Sequence, residues 1–250
     1  MRYFIEFSYD GTDFSGMQIQ PNALSIQEVL ENALSKKLRF NCRISAAGRT
    51  DSGVHAKQMY AHFDTELEIE TSKLIYELNS FLPKSIAVLT LQKVEDKAHA
   101  RFDAISRTYN YYISLEKNPF SERFSYQLYK KKLDIDKMNE ASILLKKYTD
   151  FTSFSKLHTD TKTNNCKIMF AEWKIENSHL IFTITADRFL RNMVRSIVGT
   201  LLDIGEGKIN LHQFCTIIEQ KDRKFAGISA PAKGLILSEI KYDFLKIHTE

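Results

Sequence analysis

Residues 2–9 alternate in character, with Tyr3, Ile5, Phe7 and Tyr9 at every second position. A period of two is the pattern of a half-buried strand. Asp10-Gly11 then turns the chain. Ser25 followed by Glu28 has the form of a capping box, and Ile26, Val29, Leu30, Ala33 and Leu34 recur at helical spacing behind it. The pattern next predicts a short strand around Arg43–Ala46, a polar loop at Gly48–Gly53, and a strand through Met59, Ala61 and Phe63. Thr71 is placed to cap a helix carrying Leu74, Ile75 and Leu78 and stopped before Pro83; Ile86–Val94 is a β-rich run. Residues 1–103 thus read as strand, helix, strand, strand, helix, strand: an α+β unit with its helices on one face of a sheet.

Residues 104–250 echo that order. Thr108–Ser114 reads as a tyrosine-rich strand, and Met138, Ala141, Leu144 and Leu145 mark a helix. Lys167–Ile175 and Leu180–Thr185 form a predicted hairpin about Asn177-Ser178. Phe189–Leu202 reads as a strongly apolar helix ending near Gly205; Phe214, Ile217 and Ile218 mark another, and Leu235–Tyr242 is the last predicted strand. No residue-level repeat joins the halves, so any duplication is one of topology. The boundary is expected near Arg101–Arg107.

Composition narrows the classes. The chain has 250 residues, 43% of them hydrophobic and 26% charged, as in an ordinary globular protein. No apolar run approaches the length of a membrane span, and Glu6 interrupts the first strand where a secretory signal would be apolar. A cytoplasmic protein with no membrane partner is therefore expected. Cys42, Cys166 and Cys215 are odd in number and widely separated, which disfavours both a disulfide framework and a structural zinc site. His55 and His62 lack ligand partners at a recognisable spacing, so no metal is expected. The formal charge of +4 is compatible with a nucleic-acid partner and proves none; the densest positive run, Lys130-Lys131-Lys132, reads as a solvated face.

Three stretches can carry chemistry. The loop Gly48-Arg49-Thr50-Asp51-Ser52-Gly53-Val54-His55-Ala56 sets an acid beside a cation, with glycines that permit close backbone approach; taken alone it is better described as a turn with a surface ion pair. In Arg188-Phe189-Leu190-Arg191-Asn192-Met193-Val194-Arg195, a helix would set Arg188, Arg191 and Arg195 on one face. Such a stripe pairs carboxylates or phosphates, or simply faces solvent. In Arg107-Thr108-Tyr109-Asn110-Tyr111-Tyr112, Tyr109 and Tyr111 share one strand face and Tyr112 takes the other. Exposed rings there would stack on bases; buried ones are core.

Taken together these stretches resemble the TruA family of tRNA pseudouridine synthases. The resemblance begins with Tyr9-Asp10-Gly11-Thr12-Asp13-Phe14-Ser15-Gly16 and Ser25-Ile26-Gln27-Glu28, and continues through Ala47–Ala56. It includes His99-Ala100-Arg101-Phe102, Arg107-Thr108-Tyr109, Asp150–Phe154, Met193–Gly199 and Lys233-Gly234-Leu235, in order over almost the whole chain. It implies two α/β domains of related topology with mainly antiparallel sheets, an active-site cleft between them, and a homodimer that binds tRNA. It also implies uridines at positions 38, 39 and 40 of the anticodon stem-loop as substrates, with no cofactor or metal. Carried over by motif, Asp51 is the essential carboxylate, Tyr109 packs on the target base, and Arg195 pairs with Asp51. Leu235 is the apolar residue under the base. Arg49 helps to hold the extruded nucleotide, and Arg191 belongs with the substrate-binding residues. His55 and Asn192 read as supports.

The reaction needs these residue types. The N1–C1′ bond of uridine must break, the uracil must turn, and the ring must rejoin through C5. A carboxylate acts at C1′, C6 or a sugar proton, and the base must first leave its stack at a cost of a few kcal/mol. Stacking on an aromatic ring returns roughly 1–3 kcal/mol of that. The sequence departs from the family at Gly16-Met17-Gln18, where Gly-Trp-Gln is usual, and in the arginine-poor stretch Lys162–Lys167. Methionine fills space but lacks an indole N–H. Two other readings are a non-catalytic RNA-binding protein on the same scaffold and a carboxylate-dependent hydrolase or nuclease. The retained Asp51 counts against the first. The lack of a second acid or metal ligands in the loop counts against the other.

Overall fold

The computed structural model describes residues 1–129, 131–156 and 163–247. The chain forms two compact units, Met1–Ile105 with Leu237–Glu250, and Ser106–Ile236. Each is α+β. The second predicted domain runs to residue 250, whereas the chain from Leu237 onward packs with the first unit.

In the first unit, β1 (Arg2–Tyr9) lies between β4 (Ile86–Val94) and β3 (His55–Asp64), antiparallel to both. The two-residue β2 (Ser45–Ala46) and part of β9 (Leu235–Tyr242) flank β3. The alternation along β1 reflects burial: Tyr3, Ile5, Phe7 and Tyr9 are all buried, and Phe4 on the opposite face is buried as well. Helix α1 (Ile26–Leu38) starts at Ser25, whose side chain accepts the Glu28 N–H. Helix α2 (Thr71–Phe81) corrects the expected cap: Glu70 is the cap, accepting the Lys73 N–H, and Thr71 is the first helical residue. A carboxylate at that end also suits the helix dipole.

In the second unit, β5 (Ala104–Ser114) pairs antiparallel with β8 (His179–Ala186), and β8 with β7 (Ile168–Glu176). Asn177 and Ser178 both have positive φ, 47° and 62°, as a two-residue hairpin turn demands. The short β6 (Tyr126–Gln127) runs parallel to β5. Helices α3 (Ile135–Leu144), α4 (Met193–Gly205) and α5 (Leu211–Glu219) pack together, and α3 also packs on β7. There Asn139 exchanges two hydrogen bonds with the backbone of Trp173, at 2.7 and 3.1 Å, and Trp173 stacks on Phe182 at 4.8 Å. A last helical turn, α6 (Phe244–Ile247), follows β9.

The predicted helix Phe189–Leu202 is corrected at its start. Residues 188–190 are not helical, Arg191 and Asn192 form a turn, and α4 begins at Met193. The reason is Asn192, whose φ of +65° is left-handed and breaks helical continuity. Arg188, Arg191 and Arg195 therefore form no single helical stripe; Arg195 alone is on the helix. Lys130 and Lys162 lie outside the described residues. Lys131 ion-pairs with Glu206, which also takes Lys208, an arrangement that fits a solvated face.

Candidate active site

The expected site residues are divided between the units. Asp51 and Arg49 are in the first; Tyr109, Arg191, Arg195 and Leu235 are in the second.

Asp51 is half-buried and Arg49 exposed, in the loop between β2 and β3. The backbone around Asp51 is held from both sides. The Thr50 carbonyl accepts the Met17 N–H at 3.2 Å, and the Thr50 hydroxyl hydrogen-bonds the buried Tyr9 hydroxyl at 2.8 Å. The Phe14 carbonyl accepts both the Gly53 N–H at 3.3 Å and the Ser52 hydroxyl at 3.2 Å. The Asp51 carbonyl itself accepts the Val54 N–H at 3.1 Å, closing a turn in which Gly53 has φ +75°. On the far side, the Gly16 and Met17 carbonyls accept the Ile26 and Gln27 N–H groups at the start of α1. Residues 16–17 therefore tie the helix end, with its orphan donors, to the loop that presents Asp51.

Met17 owes its place to this strap. Its side chain is buried and its contribution to the loop is main-chain hydrogen bonding. The identity of the side chain at position 17 changes packing but leaves those bonds available. His55 is likewise buried, with Nδ1 3.0 Å from the Gly11 N–H and 3.1 Å from an Asp10 carboxylate oxygen. It braces the Asp10-Gly11 turn.

In the second unit one short segment links Arg195 to Leu235. Ala230 donates its N–H to the Arg195 carbonyl at 3.0 Å and accepts Nε of Arg195 at 2.7 Å. The next carbonyl, that of Pro231, accepts the Tyr111 hydroxyl at 2.9 Å, and a Cβ at Gly234 would come within 2.7 Å of the Tyr111 ring. Leu235 then opens β9, buried. Residues 230–235 thus run from Arg195, past Tyr111 of β5, to Leu235.

Tyr109 and Tyr111 share a strand face but differ in burial: Tyr111 is core, and Tyr109 is half-buried, meeting Phe189 edge-on at 5.2 Å. A half-buried ring retains a surface for stacking. Arg191 is exposed, and its carbonyl accepts the Lys156 N–H at 3.0 Å. The sequence reading missed Ser229 and Arg223, which hydrogen-bond around Asn192. A lone serine before Ala-Pro carries no signal of its own.

Comparison with known proteins bears on the same stretches. A family model described as tRNA pseudouridine synthase matches residues 6–103 and 148–243, which include every expected site residue except Tyr109. A Bacteroides fragilis protein named tRNA pseudouridine synthase A is 54% identical over 243 residues, covering 96% of this chain and 96% of its own length. Proteins of the same name from Porphyromonas gingivalis and Bacillus subtilis are 51% and 40% identical, covering 96% and 97% of this chain and 97% and 100% of their own lengths. With a family model matched over most of the chain and relatives similar over almost its whole length, the chain belongs to the tRNA pseudouridine synthase family, whose members are isomerases.

Proposed function

We propose that this protein isomerises uridine to pseudouridine in the anticodon stem-loop of tRNA, at positions 38, 39 and/or 40, with Asp51 as the catalytic carboxylate. The observation that carries the reading is the presentation of Asp51: a half-buried carboxylate in a loop whose neighbours Thr50, Ser52 and Gly53 are each tied to residues 14–17. A loop held this firmly presents its carboxylate with little freedom left to lose on substrate binding. The names of the relatives support tRNA as substrate, and the positions are carried over from the motif resemblance.

In this reading the first unit supplies the Asp51 loop, and the second supplies Tyr109, Arg195, Arg191 and Leu235. Tyr109 stacks on the extruded uracil and Leu235 supports it from the other side. Arg195 balances the Asp51 carboxylate, while Arg49 and Arg191 engage the nucleotide and the phosphate backbone. Asp51 acts while the N1–C1′ bond breaks. The freed uracil turns, C5 bonds to C1′, the C5 hydrogen leaves as a proton, and N1 gains one, so the product is an isomer of the substrate. The chain's own residues suffice for this scheme, which invokes no cofactor or metal. Among the described residues no helix is long and apolar enough to cross a membrane, and a cytoplasmic location is part of the same proposal. The homodimer is carried over from the family resemblance.

The test uses tRNA transcripts that carry uridine singly at 38, 39 or 40. After incubation, pseudouridine is located by primer extension on carbodiimide-treated RNA. Stops at these positions are expected. Stops only elsewhere would overturn the positions, and none at all, with tRNA still bound, would indicate a non-catalytic RNA-binding protein.

A further inference from the structure

The turn before α4 is built unusually. An asparagine at a helix start normally has extended backbone and uses its side-chain oxygen to accept an N–H of the first turn. Asn192 has φ +65° and makes no such bond. Its amide instead donates to the Ser229 hydroxyl oxygen at 2.7 Å. The same oxygen accepts Nη2 of Arg223 at 2.9 Å, while Nη1 of Arg223 donates to the Ala226 carbonyl at 3.1 Å. Ser229 is thus a junction of two donors, one of them charged. The residue after it, Ala230, holds Arg195 by both backbone and Nε.

We propose that Asn192, Ser229 and Arg223 are positioning residues that aim the Arg195 guanidinium. This rests on the assignment of Arg195 to the active site. The Ser229 junction fixes where Ala230 lies, and the Ala230 carbonyl fixes Nε. A planar guanidinium held at Nε presents its two remaining nitrogens in a set direction. The junction is separable from the general attachment of the loop to α4. Gly227 donates to the Thr200 hydroxyl at 2.9 Å, and Gly199 lies so close to Ile228 that a Cβ there would meet its carbonyl oxygen at 1.8 Å. Those contacts hold the loop on the helix without Ser229, so loss of its hydroxyl alters alignment more than fold.

The experiment compares full-length wild type with Ser229→Ala and Asn192→Gly, the second chosen because glycine accepts a positive φ. The readout is single-turnover pseudouridine formation on a tRNA transcript. Each variant is expected to slow about tenfold, equivalent to about 1.4 kcal/mol of barrier. tRNA affinity should stay within about twofold, and the thermal midpoint within roughly 3 °C. Ser229→Thr, which keeps the acceptor oxygen, should restore most of the rate. In an Arg195→Lys background, which lacks Nε, Ser229→Ala should slow the reaction no further. An additive loss in that background, or wild-type rates in both single variants, overturns the proposal. A wild-type rate in Arg195→Lys alone instead overturns the assignment of Arg195, and the positioning role falls with it.

Discussion

Gly16 approaches Thr50 so closely that a Cβ at position 16 would lie 2.5 Å from the Thr50 carbonyl oxygen and 3.2 Å from the carbonyl carbon of Asp51. Its φ of +96° is also a conformation that side chains resist. The obstructing atoms are backbone, so the clash is relieved by moving the loop that carries Asp51. Gly16→Ala is therefore expected to cost about 2–3 kcal/mol of stability. In the fraction that folds, turnover should fall more than tRNA affinity. Urea denaturation and single-turnover kinetics on the same preparation separate the two effects.

The Tyr9–Thr50 hydroxyl pair supports the same loop from inside the core. Removing either hydroxyl deletes this bond, at about 1 kcal/mol for each single change, Tyr9→Phe or Thr50→Val. The double variant removes both polar groups and should cost less than the sum of the singles. Strict additivity in a double-mutant cycle would show that the pair does not act as a unit.

Arg191 and Arg195 are expected to separate in their effects because the turn at Asn192 takes Arg191 off the helix. Arg191→Ala should weaken tRNA binding and flatten its salt dependence by about one counterion. The rate once tRNA is bound should be unchanged. Salt-titrated binding and saturating single-turnover assays provide the check.

Stability should fall on mild acidification because of His62. Burial, then the positive fields of Arg2 and His99, lowers its pKa to about 4 from an ordinary 6.5, and its Nδ1 accepts the Ala100 N–H at 3.2 Å. His99, in edge contact at 4.5 Å, is lowered as well, chiefly by burial, while Asp64 and Asp103 nearby pull in the opposite sense on His62. In this window the unfolded chain takes up a proton that the folded chain refuses. Stability is then fully present above pH 6.5 and drains away as pH falls toward about 4. His62→Asn, which keeps an acceptor for Ala100, should lose less stability between pH 6.5 and 5 in paired urea titrations.

Strands and hairpin were legible because burial on one face imposes a period of two. Ile86–Val94, legible as a β-rich run, and Leu235–Tyr242 form strands with those bounds. The Asn177-Ser178 turn declares itself through residue type, since both positions need positive φ. The start of α4 did not, because Phe189 and Leu190 are apolar at helical spacing and hydrophobicity says nothing about the backbone of Asn192. Glu70 outcompeted Thr71 as a cap through its carboxylate reach, a choice the sequence leaves open. The Asp51 loop stood out by composition and motif. Its supports at Tyr9, Gly16 and Thr50 depend on long-range contacts, as does the junction at Ser229, and no local pattern encodes such contacts.

The most direct test of the central claim is release of tritium from C5 of uridine in a labelled tRNA transcript, with wild type, Asp51→Ala and Asp51→Asn compared at matched tRNA occupancy. The account predicts release by wild type and none above background by either variant, with both still binding tRNA. Release by either Asp51 variant at the wild-type rate would contradict it.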